Sequence, residues 1–289
     1  MTNALTNLIL IPLISLLFLS LLNTAEANSF QIASKSALVF DLETQKVLYN
    51  ELENEILPIA SITKLMTALI VLEDSASLDE KIEVKIDQTK ELNAVFSRVK
   101  VGSYLSRRDL LKIMLMSSEN RAAAALAHNY SKGYGAFIKA MNDKAQLLGM
   151  KNTKFTEPTG LSDANVSTAV DLTKLLIILS KNKQIQEMST IAEYSVGFSE
   201  PNYSLPFRNT NHLIFSDKWK ILLTKTGFTN PAGHCLVMIA NINDKPVTLV
   251  ILNAFGKQTH FGDANRLKAW LEKGEIKPIP QGAIQHKKN

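Results

Sequence analysis

The sequence predicts an α+β fold, in which an antiparallel sheet is flanked by helices. Extended apolar runs lie near both ends of the chain, at residues 36–49 and at residues 219–226, 234–242 and 247–254. The chain between these runs shows mainly helical patterns. Because the early hairpin and the late strands each need partners to bury an apolar face, we expect them to share one sheet that helices cover.

The elements are predicted in chain order from local signals. Residues 36–49 form a hairpin around the polar stretch 41–46, and Pro58 leads into a helix over residues 61–73. This helix is apolar on most faces, so we expect it to be buried. Residues 82–100 give no clear prediction. Further helices are predicted at 110–116 behind a capping box at 106–109, at 121–130, at 134–148 ended by Gly149, at 172–180 capped from Thr168, and at 260–273.

The first part of the chain is interpreted as a signal peptide. An uncharged apolar run at residues 8–22 precedes Ala25-Glu26-Ala27, which has the small-x-small form of a cleavage site. The run is short for a membrane-spanning helix, although an uncleaved anchor is the alternative. We therefore expect a signal peptide at 1–27, a domain at 28–276 and a polar tail at 277–289, in a secreted, periplasmic protein without a stable membrane anchor after cleavage.

Charge and cysteine content limit the function classes. Removing residues 1–27, which carry only the Glu26 charge, changes the net charge from +5 to +6. A mildly basic surface suits an anionic polymer, and no nucleic-acid motif is found. Cys235 is the only cysteine, which excludes an internal disulfide, and its apolar surroundings predict a buried small side chain. The five histidines lack the spacing of metal ligands, so neither a metal nor a cofactor is predicted.

Three short motifs occur in a particular order: Ser61-Ile62-Thr63-Lys64, Ser118-Glu119-Asn120 and Lys225-Thr226-Gly227. They correspond to the S-x-x-K, S-x-N and K-T-G patterns of penicillin-recognising serine enzymes. Two other S-x-x-K matches begin at Ser97 and Ser180, but one lies in a polar stretch and the other at a helix end. The position of Ser61 at the start of a buried helix therefore makes it the predicted nucleophile.

Lys64 is the predicted base for Ser61. A serine hydroxyl attacks poorly until a neighbour takes its proton, and the spacing of three residues places Lys64 on the same helix face. Lowering a lysine pKa from about 10.4 to about 7 requires a bias of about 4–5 kcal/mol against the charged form. Burial and a like charge both act in that direction, and Lys225 is the expected like charge. The alternative is a surface lysine.

The other two motifs are predicted to assist proton transfer and substrate binding. Ser118 can relay a proton and Asn120 can orient Lys64 and the substrate; the alternative is an ordinary turn and N-cap. Lys225 and Thr226 are expected to hold a substrate carboxylate at the end of a strand, with Gly227 allowing close approach. The alternative is a strand end with turn residues.

With these motifs in place, the chain resembles the penicillin-binding protein and serine β-lactamase superfamily. Within it, the sequence is most similar to low-molecular-mass D-alanyl-D-alanine peptidases, particularly the endopeptidases, over about residues 36–273. The resemblance rests on the runs Pro58–Thr67, Met116–Ala123, Glu157–Leu161 and Thr224–Asn230.

The resemblance implies a β-lactamase/transpeptidase-like fold with an inserted helical subdomain. It also implies an acyl-enzyme on Ser61, an oxyanion hole formed by the backbone N–H groups of Ser61 and Phe228, and penicillin as an inhibitor. The expected partners are peptide stems and cross-links of peptidoglycan, with β-lactam antibiotics as inhibitors.

Four functions stay open at this stage. The short chain after Gly227 leaves no room for the extra C-terminal domain of many carboxypeptidases in this family, which favours an endopeptidase over a carboxypeptidase. A β-lactamase would need a Glu to activate water, and Glu157 is a candidate in a different sequence context. A non-catalytic peptidoglycan-binding or penicillin-sensing protein would not need an activated serine.

Overall fold

The computed structural model describes residues 30–288, and the predicted signal peptide at 1–27 lies outside the described residues. Residues 31–289 form one compact unit. None of the helices within the described part of the chain has the length and apolar character needed to cross a membrane.

Eleven strands lie in the described residues: β1 Ser36–Asp41, β2 Lys46–Glu51, β3 Leu57–Pro58, β4 Lys81–Glu83, β5 Tyr104–Ser106, β6 Val166–Ser167, β7 Glu193–Phe198, β8 Tyr203–Arg208, β9 Lys220–Thr229, β10 Gly233–Ile242 and β11 Lys245–Ala254. The main sheet has five strands in the order β2-β1-β11-β10-β9, and every neighbouring pair is antiparallel. The expectation that the early hairpin joins the late strands is therefore confirmed. The order leaves β9 at one edge.

Within residues 30–288, eight α-helices accompany the sheet: α1 Lys64–Glu73, α2 Arg107–Met116, α3 Asn120–His128, α4 Tyr134–Leu147, α5 Ala169–Leu179, α6 Lys183–Thr190, α7 Thr259–Lys273 and α8 Gln281–Lys288. The predicted capping sites are present, since Ser106 accepts from the backbone N–H of Asp109 and Thr168 from that of Asp171. Helix α8 lies within the segment predicted as a polar tail.

One local prediction was wrong, and two parts of the fold were missed. Strand β9 continues to Thr229, whereas the sequence placed its end at Lys225-Thr226-Gly227. The hairpin β7–β8 and helix α6 were not predicted at all. These segments are short and rich in polar residues, so periodicity gives little signal until the core of the fold supplies a surface for them to cover.

The centre of the molecule is α1, as its apolar composition predicted. Every residue from Lys64 to Val71 is buried, and this helix packs against α2, α3 and α4. The helix begins at Lys64, and Ser61 lies in a preceding 3₁₀ turn, Ala60–Thr63. Because the interior side of this turn is buried, Ser61 is held rigidly at the junction between the helical layer and the sheet. Cys235 is also fully buried, as predicted, and burial raises the pKa of its thiol to about 12.

Candidate active site

The Ser61 hydroxyl lies directly over the Lys64 amine. Lys64 follows Ser61 by one turn, and its Nζ donates a hydrogen bond to Ser61 Oγ at 2.8 Å. The Lys64 side chain is completely buried, whereas Ser61 is half-buried. The Ser61 hydroxyl is thus open to the cavity, whereas the Lys64 amine beside it is not accessible to water.

Two further acceptors fix the Lys64 amine. Its Nζ donates to Asn120 Oδ1 at 2.7 Å and to the carbonyl oxygen of Thr159 at 2.5 Å. Burial lowers the pKa of Lys64 to about 8, against smaller opposing effects of the Glu157 and Glu119 charges. The three acceptors are a hydroxyl, an amide and a backbone carbonyl oxygen, and none of them carries a charge. They orient the amine, while burial disfavours its charged form.

Lys225 is buried on β9, close to Lys64. Burial is the main cause of a pKa well below its ordinary value, and the charge of Lys64 lowers it further. Its Nζ donates to the carbonyl oxygen of Thr226 at 2.8 Å. The sequence predicted that the Lys225 charge would lower the pKa of Lys64, and this was wrong: the charge effect runs from Lys64 to Lys225, and burial alone lowers the pKa of Lys64.

The second motif occupies the break between α2 and α3. Ser118 has a φ of +62°, a conformation that is uncommon for a residue other than glycine. Glu119 is the N-cap of α3, since its side chain accepts from the backbone N–H of Arg121 and from Ser97 Oγ. Capping by Glu119 leaves the Asn120 amide to contact Lys64, so the motif forms an N-cap, as the alternative held, and also brings Asn120 to Lys64.

The third motif passes unusually close to the nucleophile. A Cβ built on Gly227 would lie 3.0 Å from both Ser61 N and Ala60 Cβ. The contact between β9 and the Ser61 turn therefore favours glycine at position 227, whether or not the substrate also comes close to this backbone. Its neighbour Thr226 donates from Oγ1 to Thr210 Oγ1 at 2.6 Å.

These motifs surround one cavity of about 510 Å³. Six of the eight predicted site residues line it, namely Ser61, Ser118, Asn120, Thr226, Gly227 and Phe228. The other two, Lys64 and Lys225, are buried behind its surface and bond to lining residues. The structure thus brings together residues that are far apart in the sequence. Within the described part of the chain, no group of His, Cys, Asp and Glu is arranged to hold a metal ion.

The loop around Glu157 is an organising part of the site that the sequence reasoning missed. The buried Glu157 carboxylate accepts from Thr159 N, Thr159 Oγ1 and Gly160 N, each at 2.6 Å. Gly160 has a φ of +82°, and a Cβ there would lie 1.9 Å from the carbonyl oxygen of Ala60. The loop is thereby pressed against the Ser61 turn and aims the Thr159 carbonyl at Lys64. The sequence signals a turn here, but a backbone carbonyl has no sequence signature.

The same loop bears on the β-lactamase alternative. Glu157 is 2% exposed, and it is not among the described residues that line the cavity. Its carboxylate is already committed to backbone and side-chain donors. It therefore stabilises the loop and is not placed to activate a water in the cavity.

The opposite wall of the cavity contains three histidines that appeared scattered in the sequence: His212, His234 and His260. His234 stacks on Phe228 with ring centroids 4.3 Å apart and on His260 at 5.1 Å. Burial, followed by the charges of His234 and His212, lowers the pKa of His260 to about 3. His260 is thus neutral at ordinary pH and contributes a flat ring to this wall.

Fold and site together indicate a class of protein, the serine-type peptidases, and they place a half-buried serine in hydrogen-bond contact with a buried lysine. Residues 22–256 match the family model for D-alanyl-D-alanine carboxypeptidases. The chain belongs to this family and is a serine-type D-alanyl-D-alanine peptidase.

Comparisons with individual proteins agree with this family match. The chain is 58% identical to a D-alanyl-D-alanine endopeptidase of Escherichia coli, over 91% of this chain and 84% of that protein. The crystal structure of the Streptomyces K15 DD-transpeptidase superposes with a TM-score of 0.77 at 28% identity, over 83% of this chain and 97% of that one. Penicillin-binding protein D2 from Listeria monocytogenes, solved in the cefotaxime-bound form, gives a TM-score of 0.73 at 30% identity, over 84% and 98%. The predicted transpeptidase-like fold is confirmed.

Proposed function

We propose that this protein is a D-alanyl-D-alanine endopeptidase that hydrolyses peptide cross-links of bacterial peptidoglycan through an acyl-enzyme on Ser61. The observation that carries the proposal is the 2.8 Å contact between Ser61 Oγ and a buried Lys64 amine with a pKa of about 8. The similarity to a relative named as an endopeptidase supports the choice of reaction. The proposal includes secretion into the periplasm after removal of residues 1–27, with 28–276 as the catalytic domain.

Acylation begins with proton transfer from Ser61 Oγ to the neutral Lys64 amine. The Ser61 oxygen attacks the carbonyl carbon of D-alanine, and the new C–O bond gives a tetrahedral oxyanion. With a pKa of about 8 instead of 10.5, the neutral fraction of the amine at pH 7 is about 300-fold higher. Asn120 and the Thr159 carbonyl keep the amine beneath Ser61, so the base is positioned before the substrate binds.

The oxyanion is stabilised by the backbone N–H groups of Ser61 and Phe228. The close packing of Gly227 on Ser61 N supports this role, because it brings the next residue of β9 beside the nucleophile. Collapse of the intermediate breaks the C–N bond. The proton on Lys64 passes through the Ser118 hydroxyl to the leaving amine. Water then adds to the ester carbonyl while Lys64 takes its proton, and the C–O bond to Ser61 breaks as Lys64 returns that proton to Ser61 Oγ.

Substrate binding uses the free edge of β9. An extended peptide can add to this edge as a further strand, since no strand of the sheet covers it. Lys225 and Thr226 bind the carboxylate beside the scissile nitrogen. Burial lowers the pKa of Lys225, and a bound carboxylate would raise it again by favouring the charged amine. β-Lactams present the same carboxylate and inhibit by acylating Ser61.

The test is to incubate the mature chain with purified cross-linked muropeptide dimers and with monomeric pentapeptides, and to follow both by mass spectrometry. We expect dimers to be split into monomers faster than pentapeptides lose D-alanine. Cleavage should disappear in Ser61→Ala and be blocked by penicillin, whereas Ser180→Ala, at another S-x-x-K match, should retain it because Ser180 Oγ bonds only locally, to the carbonyl of Ile177. Release of terminal D-alanine alone would identify a carboxypeptidase. Normal cleavage by Ser61→Ala would refute the serine mechanism.

A further inference from the structure

A second cavity adjoins the catalytic one. It has a volume of about 380 Å³, and Phe228, His234 and Lys257 line both cavities. The stacked rings of Phe228 and His234 thus stand at the junction, and Lys257 lies beside them. The catalytic cavity therefore does not end at its histidine wall but continues beyond it.

The composition of the second cavity suits a peptide that carries a carboxylate. Its other lining includes Asn230, Asn253 and Phe255, and no acidic residue of the described chain lines it. Phe228 and Phe255 are 53% and 49% exposed, so part of each ring is accessible to a ligand in this cavity. Lys257 is an exposed cation whose charge reaches His234, where it contributes to lowering the pKa of that imidazole.

Resting on the endopeptidase function proposed above, we infer that the second cavity binds the leaving peptide stem of a cross-linked dimer, with a carboxylate of that stem at Lys257. The leaving group of a carboxypeptidase reaction is a single D-alanine, which the catalytic cavity can hold by itself. The leaving group of an endopeptidase reaction is a whole stem, which must extend past the Phe228–His234 pair. The second cavity therefore contributes to the binding of cross-linked dimers but not to the binding of stems that end in D-alanyl-D-alanine. It is thus a determinant of substrate specificity.

The catalytic cavity and the second cavity together form a groove, and its two ends have different roles. Lys225 and Thr226 hold the carboxylate next to the scissile bond, whereas Lys257 takes a charge further along the leaving stem. Because Lys257 is solvent-exposed, its interaction is screened, and its effect on binding should weaken as salt is added.

The test compares two variants by the ratio of kcat/KM for muropeptide dimers to kcat/KM for monomeric pentapeptides. Lys257→Glu reverses the charge at the junction, and Asn230→Trp fills the second cavity. We expect each variant to lower the dimer-to-pentapeptide ratio by about five- to tenfold, mainly through KM for dimers. The Lys257→Glu effect should become smaller at 0.5 M salt than at 0.05 M salt. Acylation by a fluorescent penicillin on the same preparations gives the concentration of active enzyme, so misfolding does not enter the ratio.

Lys218→Glu is the matched control, because Lys218 is also an exposed lysine at a cavity, but one formed around Trp219 and α7. This variant should keep the native ratio. An unchanged ratio in both Lys257→Glu and Asn230→Trp would overturn the inference while leaving the endopeptidase function intact. If the native chain does not split dimers, the proposed function fails and the inference fails with it.

Discussion

At the scale of single residues, the Lys64 amine is the group on which the proposed chemistry depends. It is buried, yet it contacts three oxygens, those of Ser61, Asn120 and Thr159. Burial lowers its pKa to about 8, which corresponds to a bias of about 3 kcal/mol against the charged form. A base of this kind is available near neutral pH without a histidine, and the pH dependence of acylation follows from it.

The rate of acylation by a penicillin should rise with pH until Lys64 is neutral. Below pH 8 the protonated amine dominates, so the second-order rate should fall by about tenfold for each pH unit, and above it the rate should level off. Asn120→Asp places a carboxylate against Nζ, favours the charged amine, and should move the midpoint to higher pH. The profile is measured by stopped-flow fluorescence with the native chain and the variant.

Asn202→Asp serves as the control for that profile, since Asn202 is exposed on the β7–β8 turn. It adds the same charge to the molecule and should leave the midpoint where it is. A flat profile between pH 6 and 9, or an unmoved midpoint in Asn120→Asp, would contradict the role of Lys64 as the base.

At the scale of elements, the site depends on the contact between an edge strand and a 3₁₀ turn. Gly227 on β9 touches the backbone of Ser61, and Gly160 in the Glu157 loop touches the carbonyl of Ala60. The backbone of β9 and the backbone of the Glu157 loop therefore contact this turn from two sides. Side chains at either glycine would push the elements apart, so glycine is required at these places for packing reasons.

Gly227→Ala should reduce acylation much more than it reduces stability. The added methyl group would lie 3.0 Å from Ser61 N, so β9 must move by a few tenths of an ångström, and we expect a loss of about tenfold in the acylation rate. Gly135→Ala is the control because its Cβ meets nothing within 4 Å on α4. That change should raise the free energy of unfolding by about 0.5–1 kcal/mol and preserve activity. Native acylation rates in Gly227→Ala would show that the close contact has no functional role.

At the scale of the whole molecule, Asp263 on α7 joins the two ends of the described domain. Its buried carboxylate accepts from Ala33 N at 3.0 Å and Ser34 N at 2.8 Å, and it pairs with Arg266 at 2.7 Å. The segment before β1 is thereby tied to the last long helix. Since α7 packs on β10 and β11, this attachment fixes the segment before β1 beside the same sheet.

Asp263→Ala should destabilise the whole domain. Its removal leaves Arg266 and two backbone N–H groups without their acceptor, which costs about 3–5 kcal/mol and lowers Tm by about 10 °C. Differential scanning calorimetry measures this shift. Asp217→Ala, at an exposed aspartate, should change the free energy of unfolding by less than about 0.5 kcal/mol. Equal Tm values for the two variants would show that Asp263 does not carry the attachment.

The sequence by itself determined the fold class, the order of most elements and the three motifs. These features depend on local periodicity, on capping residues such as Ser106 and Thr168, and on a spacing of three residues between Ser61 and Lys64. Each is a property of neighbouring residues, so it can be recognised without knowing the fold. The short hairpin β7–β8 was missed because its polar residues carry little periodic signal.

Only the tertiary structure decided how the motifs act on one another. Whether Lys64 is buried, which carbonyl it contacts and how near β9 passes depend on residues that are far away in the chain. The contact of the Thr159 carbonyl with Lys64 and the meeting of the three cavity histidines gave no sequence signal, because they arise from a backbone carbonyl and from packing between β9, β10 and α7. Residue types are encoded locally, whereas pKa values and distances across a cavity come from long-range contacts.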